Sequence, residues 1–307
     1  MRVLVVINPR ATTTSTRARD VLVSSLASIA EVEVAVTANR GHAAAIACRA
    51  MRARDTEAVI ALGGDGTVNE VVNGLLTDGP HPAVPKLGVV PAGSTNVFAR
   101  ALGLANDPFE ATGQLLEALR RGRHRPISLG RADERWFVFG VGVGLSAAIV
   151  AAVEKKRARG ARPTNLLYAR AGLPVFWRED RRHPALSAEL NDGTVLAGAF
   201  MAVVTNTDPW TYAGQRPLRP TPGTSFDTGL GLYARRRMST LGMVFSMAAV
   251  SGNRPRIGRR GAYLHQDVDA LTIRASKPVP VEIDGDYVGE REQITLSAWR
   301  SAIGVIC

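Results

Sequence analysis

The chain has 307 residues, of which 46% are apolar and 6% aromatic, and its formal net charge is +11. This length allows one large hydrophobic core or two medium ones. The two cysteines, Cys48 and Cys307, are too few for a disulfide framework and too far apart for a zinc motif, so both are excluded and a reducing cytosol is expected.

The first 126 residues alternate between predicted strands and helices. Strands are predicted at residues 2–7, 31–36 and 86–90, and helices at residues 16–30, 42–54, 94–102 and 107–121. Ser94 can cap one of these helices, and Asp107-Pro-Phe-Glu110 resembles a capping box. Repeated strand–loop–helix units predict a parallel sheet with helices on its faces, and such a sheet binds ligands beyond the carboxyl ends of its strands.

Residues 58–76 combine a short buried strand, a glycine-rich turn and an amphipathic helix. The helix is predicted from apolar residues spaced three and four apart: Val68, Val71, Val72, Leu75 and Leu76. Gly63, Gly64 and Gly66 allow a sharp turn whose N–H groups, at the positive end of the helix dipole, suit a phosphate. Asp65 lies inside this anion site, where a bridging metal ion would remove the repulsion.

The same segment is compatible with a plain tight turn in which Thr67 caps the helix and Asp65 faces water. It is not a P-loop, because no Gly-Lys-Ser/Thr closes it, and it lacks the Gly-x-Gly-x-x-Gly spacing of dinucleotide sites. The shape of the turn alone does not decide between these interpretations.

After residue 126 the pattern changes to strands joined by turns. Turns are predicted at residues 131–134, 191–193 and 284–285, the last two within hairpins, and one helix is predicted at residues 165–177. We therefore expect an antiparallel β-rich sandwich after the α/β domain. The longest weakly polar run, residues 138–153, falls short of the ~20 residues that span a bilayer, so no transmembrane helix is expected.

The segment Gly63-Gly-Asp-Gly-Thr-Val-Asn-Glu70 resembles the signature of the diacylglycerol kinase catalytic domain, found in bacterial lipid kinases and sphingosine kinases. NAD kinases and 6-phosphofructokinases share its Gly-Gly-Asp-Gly core, but Asn69-Glu70 and Asn73-Gly74 are closer to the lipid kinases. The resemblance implies an α/β nucleotide-binding domain over residues 1–126 and a β-rich lipid-substrate domain over residues 127–293. It also implies a final strand, about 294–307, that returns to the first domain, and sites in the cleft between the domains.

Two further loops resemble nucleotide-contacting segments of this family. Asn8-Pro9 resembles an Asn-Pro-x-x-Gly phosphate loop, although Ala11-Thr-Thr-Thr14 stands where the glycine is usual. Pro91–Asn96 resembles Pro-x-Gly-Thr-x-Asn-Asp, with Ser94 for threonine and Val97 for the aspartate that is thought to help bind the acceptor. The residues that we predict to bind ATP are Asn8, Arg10, Thr12, Thr37, Gly63, Gly64, Asp65, Gly66, Thr67, Asn69, Glu70, Gly93, Ser94, Thr95, Asn96 and Asp284.

The resemblance also implies the catalytic and metal-binding residues. Val281-Glu-Ile-Asp-Gly-Asp286 resembles the family's Asp-Gly-Glu motif, so Asp286, in place of the glutamate, is the predicted general base and Asp284 its support. Asp65 is the predicted ligand of the Mg²⁺ that bridges the ATP phosphates. Asp227 is a candidate ligand of a structural Mg²⁺, displaced by one position, with Gly231 where an aspartate is usual.

The positive charge is concentrated in the second half of the chain. Residues 1–126 carry 14 basic and 11 acidic side chains, whereas residues 127–307 carry 24 and 16. Basic runs occur at residues 155–162, 235–237 and 254–260. Such an excess favours a nucleic acid or an anionic phospholipid surface, although solubility alone would also account for it. Because only 6% of the residues are aromatic, few for stacking bases, we favour the membrane and expect no nucleic-acid partner.

We therefore predict a lipid kinase that uses ATP and Mg²⁺, phosphorylates a hydroxyl of diacylglycerol, and works as a peripheral protein at the cytoplasmic face of the cell membrane. Residues 165–177 either touch that membrane or form a core helix broken at Gly172 and Pro174. Ser146 stands where sphingosine kinases have an acid, which disfavours a sphingoid acceptor. The alternatives are an NAD kinase-like enzyme and a catalytically impaired nucleotide or lipid sensor, and a homodimer is left open.

Overall fold

The computed structural model describes residues 1–12, 15–157, 165–178, 183–253 and 261–307. The chain divides into two compact units, the first formed by Met1–Leu129 with Arg300–Cys307 and the second by Gly130–Trp299. Thr13 and Thr14 and the basic residues Arg159, Arg162 and 254–260 of the sequence analysis lie outside the described residues. No helix in the described ranges is long and apolar enough to cross a membrane.

The first unit is a parallel sheet with helices. Its strands are β1 (Arg2–Ile7), β2 (Glu31–Val36), β3 (Ala58–Gly63) and β4 (Lys86–Pro91), and β5 (Arg125–Ala132) leads out of it. Its helices are α1 (Thr16–Ala27), α2 (His42–Ala53), α3 (Asp65–Leu75), α4 (Val97–Ala101) and α5 (Pro108–Arg120). The strand order is β2-β1-β3-β4, and each neighbouring pair is parallel. The predicted α/β fold is confirmed.

The core of this unit explains why the strands are so apolar. Val5, Ile60 and Leu62 are fully buried because helices cover the sheet, and α1 and α5 pack Leu22 and Leu115 against them. One local prediction is wrong. Ser94 does not cap a helix, because α4 begins at Val97 and its cap is Asn96, held in the left-handed region at φ 50°.

The second unit is mainly antiparallel. Its strands are β6 (Arg135–Phe137), β7 (Gly140–Gly144), β8 (Leu186–Leu190), β9 (Val195–Ala199), β10 (Met201–Thr205), β11 (Thr211–Ala213), β12 (Arg216–Leu218), β13 (Leu230–Arg235), β14 (Ala262–Val268), β15 (Ala270–Ile283) and β16 (Asp286–Val305). Neighbours follow the order β14-β13-β10-β7-β15-β16, with β8 beside β15 and β9 beside β8. The pairs β13–β14, β10–β13, β7–β10, β7–β15, β15–β16, β8–β15 and β8–β9 are all antiparallel, as predicted.

In the described part of the second unit, three helices interrupt the strands, where the sequence predicted one. They are α6 (Leu145–Arg157), α7 (Asn165–Arg178) and α8 (Thr240–Val250). The predicted helix at residues 165–177 corresponds to α7. The helix α8 was missed because its sequence is apolar on all sides and shows no helical period. At the other end of β16, Val305 lies beside Leu87 of β4, which returns the chain to the first unit.

Candidate functional site

Four loops of the first unit meet at one edge of its parallel sheet. Asn8 follows β1, Thr37 follows β2, Gly64 follows β3 and Ala92 follows β4. Backbone hydrogen bonds tie these exits together, from the N–H of Asn8 to the carbonyl of Leu62 (3.0 Å), from Thr37 to Ile7 (2.8 Å) and from Ala92 to Gly63 (2.8 Å). The predicted nucleotide residues at these exits are therefore close together, because parallel strands end on the same side.

The two glycine-containing loops are in direct contact. A methyl group added at Gly93 would lie 2.7 Å from the Cα of Gly64, and one at Gly64 would lie 3.1 Å from the Cα of Gly93. Only glycine allows the two backbones to approach so closely at this point. Gly66 instead faces open space, since a methyl group there would meet no atom within 4 Å. The loops form a continuous glycine surface with one open side.

Asp65 links the glycine loop to α4. Its Oδ2 accepts the N–H of Val97 at 3.0 Å, and its Oδ1 accepts the N–H of Phe98 at 3.1 Å. Burial raises the pKa of the Asp65 carboxyl, while these amides and the Arg100 cation act in the opposite direction. The first N–H groups of α4 thus stabilise this carboxylate without a metal ion, and its role as a Mg²⁺ ligand stays a prediction.

Asn8 and Thr67 join the first loop to the glycine loop. The Asn8 Nδ2 donates to the Thr67 Oγ1 at 3.0 Å, and the Asn8 Oδ1 accepts the N–H of Arg10 at 3.0 Å. A methyl group at Gly63 would lie 2.6 Å from the same Thr67 Oγ1. Both predicted side chains are thus engaged in shaping the loops, and Thr67 is buried.

Asn96 has a similar role in the second loop. Its Oδ1 accepts the N–H of Gly93 at 2.8 Å, and its Nδ2 donates to the carbonyl of Gly93 and to the Oδ1 of Asn106 at 2.9 and 2.8 Å. Asn106 was not predicted, because nothing in the sequence links it to a residue ten positions earlier. The hydroxyl residues Ser94 and Thr95 lie between the two ends of this turn, with Ser94 exposed.

The remaining predicted nucleotide residues of the first unit fall into two groups. Glu70 accepts the N–H groups of Gly41 and Ala43 at 2.8 and 3.1 Å, so it caps α2, and Asn69 is buried in α3. Arg10 and Thr12 are exposed, and Thr37 is half-buried. Glu70 and Asn69 therefore have capping and packing roles. The second group, Arg10, Thr12 and Thr37, is at least partly open to solvent.

The hairpin at Asp284-Gly285 holds three carboxylates at alternate positions. Asp284 and Gly285 have φ values of 49° and 79°, as a type I′ turn requires, and Ile283 faces Asp286 across the turn. The buried Asp284 carboxylate accepts the N–H groups of Val138, Phe139 and Gly140 at 2.7, 2.9 and 3.0 Å. Asp284 therefore anchors the hairpin, and its predicted contact with the nucleotide stays a prediction.

Asp286 lies at the start of β16, beyond the turn. Its Oδ2 forms an ion pair with the Nη2 of Arg135 at 2.8 Å, and its side chain is 27% exposed. Arg135 was missed because the two residues are 151 positions apart in the sequence. The predicted base is therefore accessible and has a fixed cationic neighbour.

Glu282 is a third carboxyl group that the sequence analysis did not single out. It is buried, with 2% exposed, and it accepts the N–H of Gly285 at 2.8 Å. Burial, with smaller contributions from Asp284 and Asp286, raises its pKa to about 8. It fits only because Gly142 lies opposite, where a methyl group would be 2.5 Å from the Glu282 Oε1. The sequence signal that could have identified Glu282 is its place in an otherwise apolar strand, together with the alternate glycines of β7.

The predicted metal ligands are not joined by further ligand residues. In the described part of the chain, no three His, Cys, Asp or Glu side chains form a group that could hold a metal ion. Asp227 is exposed in the second unit, whereas Asp65 belongs to the first. Both assignments remain predictions.

Comparison with known proteins places this geometry in a family. The sequence model of the diacylglycerol kinase catalytic domain family matches residues 2–132. A diacylglycerol kinase of Bacillus subtilis (strain 168) is 35% identical over 243 residues, which are 77% of this chain and 73% of the relative. One of Staphylococcus carnosus (strain TM300) is 27% identical, over 85% of this chain and 79% of the relative.

Solved structures support the fold independently. A crystal structure of a putative diacylglycerol kinase from Bacillus anthracis str. Sterne matches with a TM-score of 0.79, over 99% of this chain and 96% of that one. A second, titled as a diacylglycerol kinase from the same strain, matches with a TM-score of 0.74 over the same shares. At 18% identity these matches support the fold alone. The relatives in sequence show that the chain belongs to the diacylglycerol kinase family of lipid kinases and is a kinase enzyme.

Proposed function

We propose that the protein transfers the γ-phosphoryl group of ATP to the hydroxyl of diacylglycerol, which gives phosphatidic acid. The observation that carries the proposal is the contact between the loops of Gly64 and Gly93 at the carboxyl edge of the parallel sheet. Two glycine backbones in contact, with α3 starting at Asp65, provide N–H groups and a helix N-terminus of the kind that binds phosphate. The diacylglycerol acceptor is inferred from the names of the relatives in sequence.

The side chains around these loops suit the rest of a nucleotide. Arg10 is exposed beside the first loop and carries a positive charge for phosphate oxygens. Ser94, Thr95 and Thr37 offer hydroxyl groups for phosphate or ribose oxygens. Asn8, Thr67 and Asn96 also hold the loops in shape through hydrogen bonds within the protein, in addition to their proposed contacts with the nucleotide.

Asp65 is the residue of the first unit that we propose to hold Mg²⁺. A carboxylate offers about four acceptor positions, so two amide bonds leave positions for the ion or for its water ligands. When bound, Mg²⁺ would supply positive charge against the ATP phosphates. The same carboxylate would keep α4 and the second loop in place.

Asp286 is the proposed general base, and Arg135 is a positioning residue for it. A base must reach the acceptor hydroxyl at ~2.6–3.2 Å, and a partly exposed carboxylate held by a guanidinium satisfies the requirement for a fixed, accessible oxygen. Asp284 and Glu282 fit this role less well, since both are buried and both accept backbone N–H groups.

The departures from the family pattern bear on the acceptor. Val97, which replaces an expected aspartate, is buried at the start of α4, so it offers no polar group to a lipid. Ser146 is also buried, and its Oγ has no hydrogen-bond partner among the described residues. These two positions are the observations that favour the alternative of a catalytically impaired nucleotide or lipid sensor.

One experiment separates these functions. The protein is incubated with γ-labelled ATP, Mg²⁺ and diacylglycerol in mixed micelles, and the lipid fraction is analysed for phosphatidic acid. We expect label in the lipid, and loss of that label in the Asp286→Asn variant. Label in NADP when NAD is supplied, with none in lipid, would indicate the NAD kinase alternative. ATP binding without any product would indicate the sensor.

We also propose that the protein works as a peripheral protein at the inner face of the cell membrane. The support is the charge of the second half of the chain, residues 127–307, which carry 24 basic and 16 acidic side chains. Cations near an anionic bilayer are attracted to it, and salt weakens this attraction.

A further inference from the structure

Helix α8 is apolar all round, and one of its faces is turned toward solvent. Leu241, Val244 and Phe245 are 72%, 63% and 71% exposed, and Ala248 next to them is exposed as well. These positions follow the i, i+3, i+4, i+7 spacing of a single helical face. The outer face of a surface helix in a soluble protein is normally polar, so an exposed apolar face is a departure from that pattern.

The helix is held firmly in this orientation. Ser239 caps it by accepting the N–H of Gly242 at 3.0 Å, and the buried Arg235 donates through Nη2 to the carbonyls of Arg237 and Gly242. On the inner side, Met243 packs on a buried cluster that includes Phe176 of α7 and Met238. The outward apolar face is therefore a feature of a packed element.

Helix α7 adds exposed apolar side chains beside the same cluster. Leu173 and Trp177 are both more than half exposed, and the Trp177 ring contacts Phe176 edge-on, with centroids 5.8 Å apart. We define the apolar helix surface as the following residues: Leu173, Trp177, Leu241, Val244, Phe245 and Met247. Exposed tryptophan, phenylalanine and aliphatic side chains are the residue types found at a membrane interface.

The charges around the apolar helix surface indicate which kind of partner binds to it. Exposed cations on and next to the three helices are Lys155, Arg170, Arg178, Arg236 and Arg237. Glu154 is the only acidic residue in α6, in α7 or at residues 236–253. Two copies of the chain joined through this surface would place two surfaces rich in exposed cations against each other, and this repulsion opposes a dimer. An anionic lipid bilayer offers both an apolar interior and negative headgroups.

We propose that the apolar helix surface docks on an anionic phospholipid bilayer, with Leu241 and Phe245 entering the acyl region and Arg236 and Arg237 at the headgroups. The proposal rests on the proposed function in that a lipid kinase must reach an acceptor embedded in the bilayer. It assigns the membrane contact to α8, whereas the proposed function attributed membrane binding only to the positive charge of residues 127–307.

The test is co-sedimentation of the full chain with vesicles of phosphatidylcholine, alone or mixed with phosphatidylserine. We expect the double variant Leu241→Ser/Phe245→Ser to lower partition into mixed vesicles by about 100-fold, since burial of each side chain contributes roughly tenfold. The matched control is Val195→Ser. Val195 lies on β9 and is as exposed as Val244 of α8, and its replacement should leave partition unchanged. Unchanged thermal melting of each variant shows that it is folded, and the single variant Phe245→Gln replaces the double one if it is not.

The charge contribution has its own pair of variants. Arg236→Glu/Arg237→Glu should lower binding to mixed vesicles and remove its salt dependence, whereas Arg216→Glu, at an exposed arginine on β12, should change it little. Equal binding of wild type and the Leu241/Phe245 variant would overturn the proposal. So would a dimer that this variant dissociates while vesicle binding persists, measured by sedimentation velocity.

Failure of the docking proposal and failure of the proposed function give different results. Wild type and the Leu241→Ser/Phe245→Ser variant are both assayed with a short-chain diacylglycerol dispersed in water. Phosphorylation of this substrate with no α8-dependent vesicle binding overturns docking and leaves the kinase function standing. Vesicle binding that depends on Leu241 and Phe245, with no lipid phosphorylation, supports docking and removes the kinase function.

Discussion

Asp65 in the first unit and Asp284 in the second are both carboxylates held by backbone N–H groups, yet their surroundings differ. Asp65 accepts two amides next to a glycine surface with an open side. Asp284 accepts three amides and is buried, with its neighbour Asp286 left to face outward. The comparison teaches that the same interaction can hold a reactive loop in place or anchor a turn, depending on whether the carboxylate retains access to a ligand.

Removal of the Asp65 charge tests whether this carboxylate binds a ligand. It should have the largest effect on activity. Asp65→Asn replaces one acceptor oxygen by an amide donor that cannot accept the N–H of Val97 or Phe98, and it removes the proposed Mg²⁺ ligand. We expect phosphoryl transfer to fall by at least ~10³-fold in a folded protein. Asp78→Asn, an exposed aspartate of the same unit, is the control for kinase assays. Retention of most of the activity would contradict the assignment.

The partly exposed carboxylate of the second unit, Asp286, has the next largest expected effect. Asp286→Asn should lower kcat by about 10²–10⁴-fold with little change in ATP affinity, because a general base acts mainly in the transition state. Asp286→Glu, which restores the glutamate of the family motif, should keep substantial activity. Steady-state kinetics with a micellar acceptor measure both. If Asp284→Asn is folded and inactive while Asp286→Asn is active, the base is Asp284.

The buried carboxylate should show its effect in stability rather than in chemistry. Asp284→Asn leaves at least one of the three N–H groups without an acceptor and places an amide donor among them, so we expect a loss of about 2–4 kcal/mol in the free energy of unfolding. Chemical denaturation measures it, with Asp192→Asn in the exposed hairpin turn at residues 191–193 as the comparison. A loss no greater than that of the comparison variant would show that Asp284 is not an anchor.

Glu282 gives the most specific effect, a dependence of stability on pH. Its pKa of about 8 in the folded chain lies above the ordinary value of 4.5, so the folded state binds the proton more tightly. The resulting stability is fully present below pH 4.5 and is lost as the pH rises toward 8, at up to about 1.4 kcal/mol per pH unit.

Glu282→Gln stays neutral and should lack this slope. The difference in unfolding free energy between wild type and variant, measured at intervals from pH 5 to pH 9 (about the window the pKa defines), should therefore shift in favour of the variant as the pH rises. Because the rest of the sequence is the same in both proteins, the difference reports on Glu282 and on its interaction with Asp284 and Asp286. A difference that is constant with pH would show that Glu282 is ionised throughout.

Much of the fold could be predicted from local pattern. The parallel sheet of the first unit followed from apolar strands alternating with helices, and the turn at Asp284-Gly285 from the type I′ preference for that dipeptide. The proximity of the Gly63–Gly66 and Gly93 loops also followed, because successive strands of a parallel sheet end at one edge. These features depend on neighbours in the sequence or on a general rule of topology.

The sequence by itself thus determined the α/β and antiparallel units, the glycine loops and the family resemblance. Only the tertiary structure decided the partners of the charged groups: Val97 and Phe98 for Asp65, and Arg135 for Asp286. It also decided that Glu282 is buried opposite Gly142 and that the apolar α8 faces solvent. The reason is physical, since the pKa and burial of a side chain depend on groups brought close by packing, and residues 151 positions apart carry no local signal of their contact.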